Sequence, residues 1–400
     1  MSEFSIENVN NLFKIKYGKL SENVYNSANV TLARQVKSYN FTGKQMFIPV
    51  PTSFNGGVGS GSLPKANYAD VEDANLYSKK VYARIRIDRE SIKASANDEG
   101  AFVRATKWNV QKGVESYMRN GSRILWGDGS GSLGVIASGG VTDNGGGEYD
   151  VVLTDASWKE ANFEEQDYIN AGTSTDLLEV VSVDPDAKTV KIQRITGSVV
   201  PADDDVLYMQ GSKDNDPMGF KGALDFGHPG STLTDLYGIA PQRRWKSTRE
   251  DAGGAGLTTD KMNKIMLEVQ RKSGKVPNMI VTSFTQFRKL LNLLEDQKQY
   301  IVEPRMDSLK GKISFKGIEF MSTAGAIPVF PERFVEDDRM YFINDNHMGC
   351  HHRPGFGWFS DDGTVLLREA DEDSYEARYG GYYQNYIVPT FIGGLVNLAV

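Results

Sequence analysis

The sequence predicts an α+β protein of elongated build, with a small β domain inserted between a long helix and a second mixed region. Helical and strand-like periods alternate along the chain without a regular βα repeat, which sets this class apart from α/β. One amphipathic stretch runs from Glu99 to Leu125, about 40 Å of rod at 1.5 Å per residue, far beyond a mean helix of about 11–12 residues. The 41 glycines in 400 residues gather at 56–61, 127–134, 139–147 and 253–256, and such clusters mark turns and mobile loops between structured blocks.

Composition narrows the function classes. Forty-five basic against 52 acidic residues give a net charge of −7, whereas a free-standing nucleic-acid binder shows a basic balance. Hydrophobic residues make up 40%, enough for a core. The uncharged stretch from Tyr382 to Val400 is broken by Gln384, Asn385, Pro389, Gly393 and Gly394, so no apolar run of about 18 residues is available to span a bilayer. The opening MSEFSIENVN lacks the basic start and apolar centre of a signal peptide. A lone cysteine, Cys350, excludes an internal disulfide framework. The expectation is a soluble, folded protein of a reducing compartment.

In chain order, residues 1–43 read as an arm with no core of its own, partly helical from Ser21 to Arg34. KQMFIPVP (44–51) is strand-like. KVYARIRID (80–88) sets Val81, Ala83, Ile85 and Ile87 against Tyr82, Arg84 and Arg86, the period of a half-buried strand. The residues between are rich in Gly, Ser, Pro, Asn and Asp, and the whole of 44–88 reads as an extended two-stranded loop reaching away from the body. In the long helix Val103, Val110, Val114, Met118 and Leu125 share one sector, and Arg104, Lys112, Arg119 and Arg123 share another. Residues 140–221 hold short Val/Ile/Leu-rich strands at roughly ten-residue spacing, the pattern of a small β-barrel, joined to the body through glycines at 139–147 and 211–222. LTTDKMNKIMLEVQRK predicts a helix closed by Gly274. NMIVT is a buried strand, and Ser283 caps a further helix carrying Phe287, Leu290, Leu291 and Leu294. Strands follow at 318–321, 327–330 and 340–343, and a last extended stretch alternates Tyr375, Ala377 and Tyr379.

Catalytic chemistry finds no foothold. Gly129-x-Gly131-x-x-Gly134 has the letters of a dinucleotide fingerprint, but a helix precedes it where that chemistry needs a strand. His347, Cys350 and His351 lie close enough in sequence to be weak candidates for a zinc site, yet in a strand Cys350 would face away from the two histidines. The acidic groups at 203–205, 361–362 and 371–373 lack calcium-loop spacing. The basic helix sector could face a polyanion such as packaged DNA, or form ion pairs with acidic neighbours.

The order of the blocks resembles the major capsid protein of tailed bacteriophages, with its Hong Kong 97-like fold. YARIRIDRESIKAS leading into GAFVRATKWNVQKGVESYMRNGSRILWGDGSGSLGVI is similar to that family's loop-return strand, spine helix and exit turn. PNMIVTSFTQFRKLL, GIEFM, GAIPVFP and MYFIN are similar to its axial-domain elements, and DSYEARYGGYYQNYIVPTFIGGLVNLAV to its C-terminal return. The resemblance implies an N-terminal arm (1–43), an extended loop (44–88), a peripheral domain with the spine helix (89–139), an inserted β-barrel-like domain (140–221), an axial domain (222–362) and a C-terminal return to the peripheral domain (363–400). It implies a structural protein, not an enzyme, without cofactor. Such a protein assembles with itself as pentamers and hexamers in the host bacterial cytoplasm into a virion capsid around packaged DNA. Its further partners would be a portal, a separate scaffolding protein and a decoration protein, with no membrane. Phe54, Val58, Leu63, Lys65 and Tyr68 would form a loop tip lying over a neighbouring subunit. An encapsulin-like compartment shell and a β-rich glycan-binding or glycan-cleaving protein are the alternatives.

Overall fold

The computed structural model describes residues 30–38, 41, 43–52, 71–89, 99–296, 318–322, 325–353, 357–360, 363–369 and 372–400. Helix α1 (Val30–Arg34) leads into β1 (Val36–Ser38), then the antiparallel pair β2 (Gln45–Pro51) and β3 (Val71–Tyr77), strand β4 (Lys79–Asp88) and the 27-residue helix α2 (Glu99–Leu125). Six strands follow: β5 (Ser132–Gly145), β6 (Glu148–Leu153), β7 (Tyr168–Ala171), β8 (Leu178–Asp184), β9 (Thr189–Arg194) and β10 (Val206–Met209). After them come α3 (Phe220–Asp225), β11 (Thr248–Asp251), α4 (Thr259–Ser273), β12 (Met279–Thr282), α5 (Phe284–Asp296), β13 (Ile318–Ser322), β14 (Gly325–Pro331) and β15 (Met340–Ile343). The chain ends with β16 (Met348–His352), β17 (Gly357–Trp358), β18 (Leu366–Arg368), β19 (Ser374–Ile387) and β20 (Ile392–Val396).

The first sheet is organised by β19. One of its edges pairs antiparallel with β4, from Ser374↔Asp88 to Tyr383↔Lys79, and its other edge takes β18, β17 and β16 in turn. Helix α2 covers this sheet with the apolar sector expected of it: Val110, Val114, Met118 and Leu125 are all buried. Val103 lies outside the described side chains.

The second sheet runs β11-β20-β15-β12-β14-β13 and mixes parallel with antiparallel pairs. Helices α4 and α5 bury Met262, Ile265, Met266, Val269, Leu290 and Leu294 in one cluster with Ile280, Val329 and Phe342 of this sheet. Thr258 caps α4 by accepting from the Lys261 amide, and Gly274 ends it at φ +73°. Ser283 accepts from the Gln286 amide at the start of α5. Leu291, expected on the buried face, is 41% exposed. In β20 the backbone is squeezed from both sides. A Cβ at Gly393 would meet Val269 and Ile265 at 2.6 and 2.7 Å, and one at Gly394 would meet Leu224 of α3 at 2.4 Å. Two glycines in succession let helices approach both faces of one strand.

Strands β5–β10 close into a barrel in the order β10-β5-β6-β9-β8-β7. Its interior, including Leu133, Ile136, Val151, Ile169, Val180, Ile192 and Leu207, is a cluster of its own. Two features differ from the sequence reading. The first strand begins at Ser132, ahead of residue 140. Gly145, Gly146 and Gly147, at φ +83°, +66° and +86°, form the tight β5–β6 turn rather than a joint to the body.

The barrel is also keyed to the rest of the chain. Arg119 of α2 pairs with Asp167 at 2.5 Å and Glu164 at 3.2 Å, and Lys159 pairs with Glu336 at 3.0 Å. Just after the barrel, Arg123 pairs with Asp216 at 2.9 Å, and the Met218 amide donates to Gln384 Oε1 at 2.8 Å. The second glycine stretch is therefore packed as well.

The ends of the chain are distributed differently from the expected blocks. Strands β16 (348–352) and β17 (357–358) pair with β19 in the first sheet rather than joining the second, while β20 leaves β19 and enters the second sheet between β11 and β15. The described end of the arm is not coreless, since Val30, Thr31 and Leu32 are buried. The Glu332 carboxylate, buried at the end of β14, accepts from the Thr31 amide at 3.0 Å and the Thr31 hydroxyl at 2.6 Å. Its other oxygen accepts from the Trp126 indole N–H at 2.6 Å.

Glu332→Ala strands three buried donors, each costing about 1–3 kcal/mol. Urea unfolding of the unassembled chain should show a loss of at least about 3 kcal/mol, against about 1 kcal/mol for Thr31→Val. An unchanged Glu332→Ala midpoint would remove the carboxylate from this role.

Glu336 gives a pH signature. Burial alone would raise its carboxyl, but Lys159, Arg339 and Lys221 outweigh burial and hold it down at about 2, from an ordinary 4.5. A depressed carboxyl contributes stability that is fully present above pH 4.5 and is lost as pH falls through about 2. The stability gap between the parent and Glu336→Gln should be widest at neutral pH and shrink through that window. A gap that does not change with pH would contradict it.

Candidate assembly surface

The β2–β3 pair has two unlike faces. Its register runs from Gln45↔Tyr77 to Pro51↔Val71, so Met46, Ile48, Val50, Ala74 and Leu76 share the inner face. Val50, Ala74 and Leu76 are buried in the main core, with Met46 and Ile48 packed against it. The described part of the extended loop thus lies on the body instead of reaching freely from it. A backbone bond from the Asn75 amide to the Tyr237 carbonyl, 2.8 Å, and a bond from Gln242 to Glu72, 3.0 Å, fasten it there. The outer face carries Phe47 at 58%, Val71 at 55% and Tyr77 at 53% exposure. Large apolar groups gathered on one outward face mark an interaction surface more often than they serve a lone chain.

Strand β4 follows β3 after Ser78 and presents a different outer surface. Ile85 and Ile87 are buried beneath α2, while Tyr82, Arg84 and Arg86 point away. Arg84 pairs with Glu376 at 2.5 Å and Glu369 at 3.1 Å, Arg86 with Glu369 and Glu372, and Arg378 with Glu376. Burial works against the Glu376 charge, but its bonds to Arg84 and Arg378 prevail and hold the carboxyl below the usual range. This ionic lattice braces β4 to β19 next to the hairpin.

The residues singled out in the sequence fall into three groups. Phe54, Val58, Leu63, Lys65 and Tyr68 lie outside the described residues, as does the side chain of Arg104. The basic sector is largely consumed within the chain, in the ion pairs with acidic neighbours that its sequence allowed as the alternative to a polyanion. Arg119 and Arg123 are 9% and 7% exposed and hold the acidic partners named above, and Lys112 pairs with Glu115 at 2.7 Å. His347, Cys350 and His351 do not converge, in keeping with a strand that turns Cys350 away from the two histidines. His347 stacks on Phe391 with ring centres 3.5 Å apart, and His351 packs edge-on to Tyr386. Cys350 points inward, with Sγ 3.1 Å from His352 Nε2. Burial pushes its thiol up and, with Lys37 and His351 adding, brings His352 down to about 4. Among the described residues no group of three metal-ligating side chains comes together.

Sequence reasoning missed β3. Its outward positions are Val71, Asp73, Asn75 and Tyr77, so the strand resembles a polar loop. The Ala74–Leu76 alternation was the available signal.

No protein-family model matches the sequence, and no curated protein does. Solved structures do. The capsid asymmetric unit of cyanophage A-1(L) superposes over 94% of this chain and 94% of its own, with a TM-score of 0.54 at 11% identity. The satellite phage P4 procapsid covers 100% and 98% at a TM-score of 0.42 and 8% identity. The SrpI encapsulin of Synechococcus elongatus PCC 7942 covers 91% and 85% at 0.45 and 8%. This α+β chain therefore has, over nearly its whole length, the Hong Kong 97-like fold of capsid proteins.

Proposed function

We propose that this chain is the subunit of a closed icosahedral shell that encloses the double-stranded DNA genome of a tailed bacteriophage. The observation that carries this reading is the outward face of the β2–β3 hairpin on a fold similar over nearly its whole length to a cyanophage capsid chain. A single chain leaves Phe47, Val71 and Tyr77 in water. A second copy laid over them removes that apolar surface at about 25 cal/mol per Å², and repetition around pentamers and hexamers closes a shell. Core packing and the bonds to Tyr237 and Gln242 hold this face in place on the body, which a repeating contact requires. A separate scaffolding protein, a portal and a decoration protein are the partners that this reading calls for.

Electron microscopy of the purified chain should reveal closed shells, and a chain that stays monomeric at high concentration would overturn the proposal. Shells isolated with a cargo enzyme and no genome would support the encapsulin-like reading instead. The variant Phe47→Asp/Tyr77→Asp should keep its circular dichroism and lie within about 0.5 kcal/mol of the parent in unfolding, because both sites are exposed. It should nevertheless form no shells. Normal shells from this variant would take the hairpin face out of the subunit interface.

A further inference from the structure

A positive surface forms where the segment entering β11 meets the C-terminal end of α4. Arg243 and Arg244 are exposed and Lys246 is half-buried on the first element, while Arg271 and Lys275 are exposed and Lys272 is half-buried on the second. The two elements are locked together by the Lys272 ammonium, which donates to the carbonyls of Lys246 and Ser247. His228 lies beneath, its Nε2 3.0 Å from Ser247 Oγ.

Among the described residues, Arg243, Lys246, Arg271, Lys272 and Lys275 form no ion pair. Acids on the neighbouring elements pair with other groups: Asp225 with Arg249 and Arg339, and Glu250 with Lys264, while Glu72 accepts from Gln242. The local field is felt by the groups inside it. Burial first, then Lys246 and Arg243, bring Lys272 down to about 8. Burial first, then Lys246, Arg249 and Lys272, bring His228 down to about 4, against its bond to Ser247. Like charges held together on a chain of net charge −7 repel one another unless an anion lies over them.

The surroundings indicate what kind of anion. Trp245, Ile265 and Val269, the apolar residues next to these cations, are all fully buried, and Leu267, one turn before Arg271, is half-exposed at the margin. The patch therefore has no aromatic residue at its centre of the kind that anchors a protein–protein contact. A surface that is mainly polar and strongly positive is the character of a nucleic-acid interface.

We propose that Arg243, Lys246, Arg271, Lys272 and Lys275 hold the phosphate backbone of the enclosed duplex, independently of its sequence. This inference rests on the shell reading above and moves the DNA-facing surface away from α2.

The test compares the parent with Arg243→Gln/Lys246→Gln/Arg271→Gln, which keeps the Lys272 contacts between the two elements. Binding of a 30-base-pair duplex to the unassembled chain is followed by fluorescence anisotropy between about 50 and 200 mM salt. Three lost phosphate contacts should lower the slope of log affinity against log salt by about 3 and weaken binding roughly tenfold or more at 100 mM. Shells of the variant should still close under the electron microscope. An unchanged slope and affinity, or a parent chain that binds no duplex, would overturn the proposal. A folded variant that no longer closes shells would assign the patch to an acidic neighbouring subunit and overturn it too. Failure of the parent to form shells counts against the shell reading, while the titration still judges the patch.

Discussion

One buried carboxylate joins three parts of this molecule that lie far apart along the chain. Glu332 accepts from Thr31 in the arm and from Trp126 at the exit of the long helix, and it stands at the end of a strand of the second sheet. A charge removed from water is tolerated only where its lone pairs are filled, so arm, helix exit and sheet must arrive together. Trp126 then packs on Phe220 and Tyr341, each about 5.0 Å away between ring centres. Arg34 sits over Phe330 and pairs with Asp345, and Gln35 bonds to Gly349 and Asn385, extending the stitch along the arm.

The C-terminal segment provides the second constraint. It lies inside both sheets: β19 carries strands on either edge in the first, and β20 sits between β11 and β15 in the second. A fold whose last strands are central gains its long-range pairings late, since they close over hundreds of residues. The paired glycines of β20 permit this by letting α3 and α4 settle on its two faces. The barrel stands apart from this logic. It has its own core, yet ion pairs from α2 and from Glu336 hold it against the body.

These constraints shape what the surface can do. Packing of the hairpin's inner face on the main core leaves its apolar outer face turned outward. Ion pairing of α2 with the barrel consumes Arg119 and Arg123, so positive charge available to a partner collects instead beside β11 and α4. An acidic chain can therefore present a locally basic face without a basic composition.

Local periodicity by itself determined much of the fold. The long helix, α4 with its closing Gly274, the strands β4, β12 and β15 and the family of short barrel strands were legible because each follows a 3.6- or 2-residue rhythm bounded by turn chemistry. The order of these blocks was enough to suggest the capsid-like fold. Tertiary structure decided the rest, because it depends on which distant segments meet. It converted the polar-looking 71–77 segment into a strand by supplying β2 as partner and the main core as its floor. It turned the glycines at 145–147 from a joint into a hairpin turn. It sent β20 away from β19, and it drew the helix arginines into contact with acids some 40 to 90 residues further along. An ion pair or a sheet edge has no sequence rhythm, since its energy lies in a partner that only the folded chain brings near.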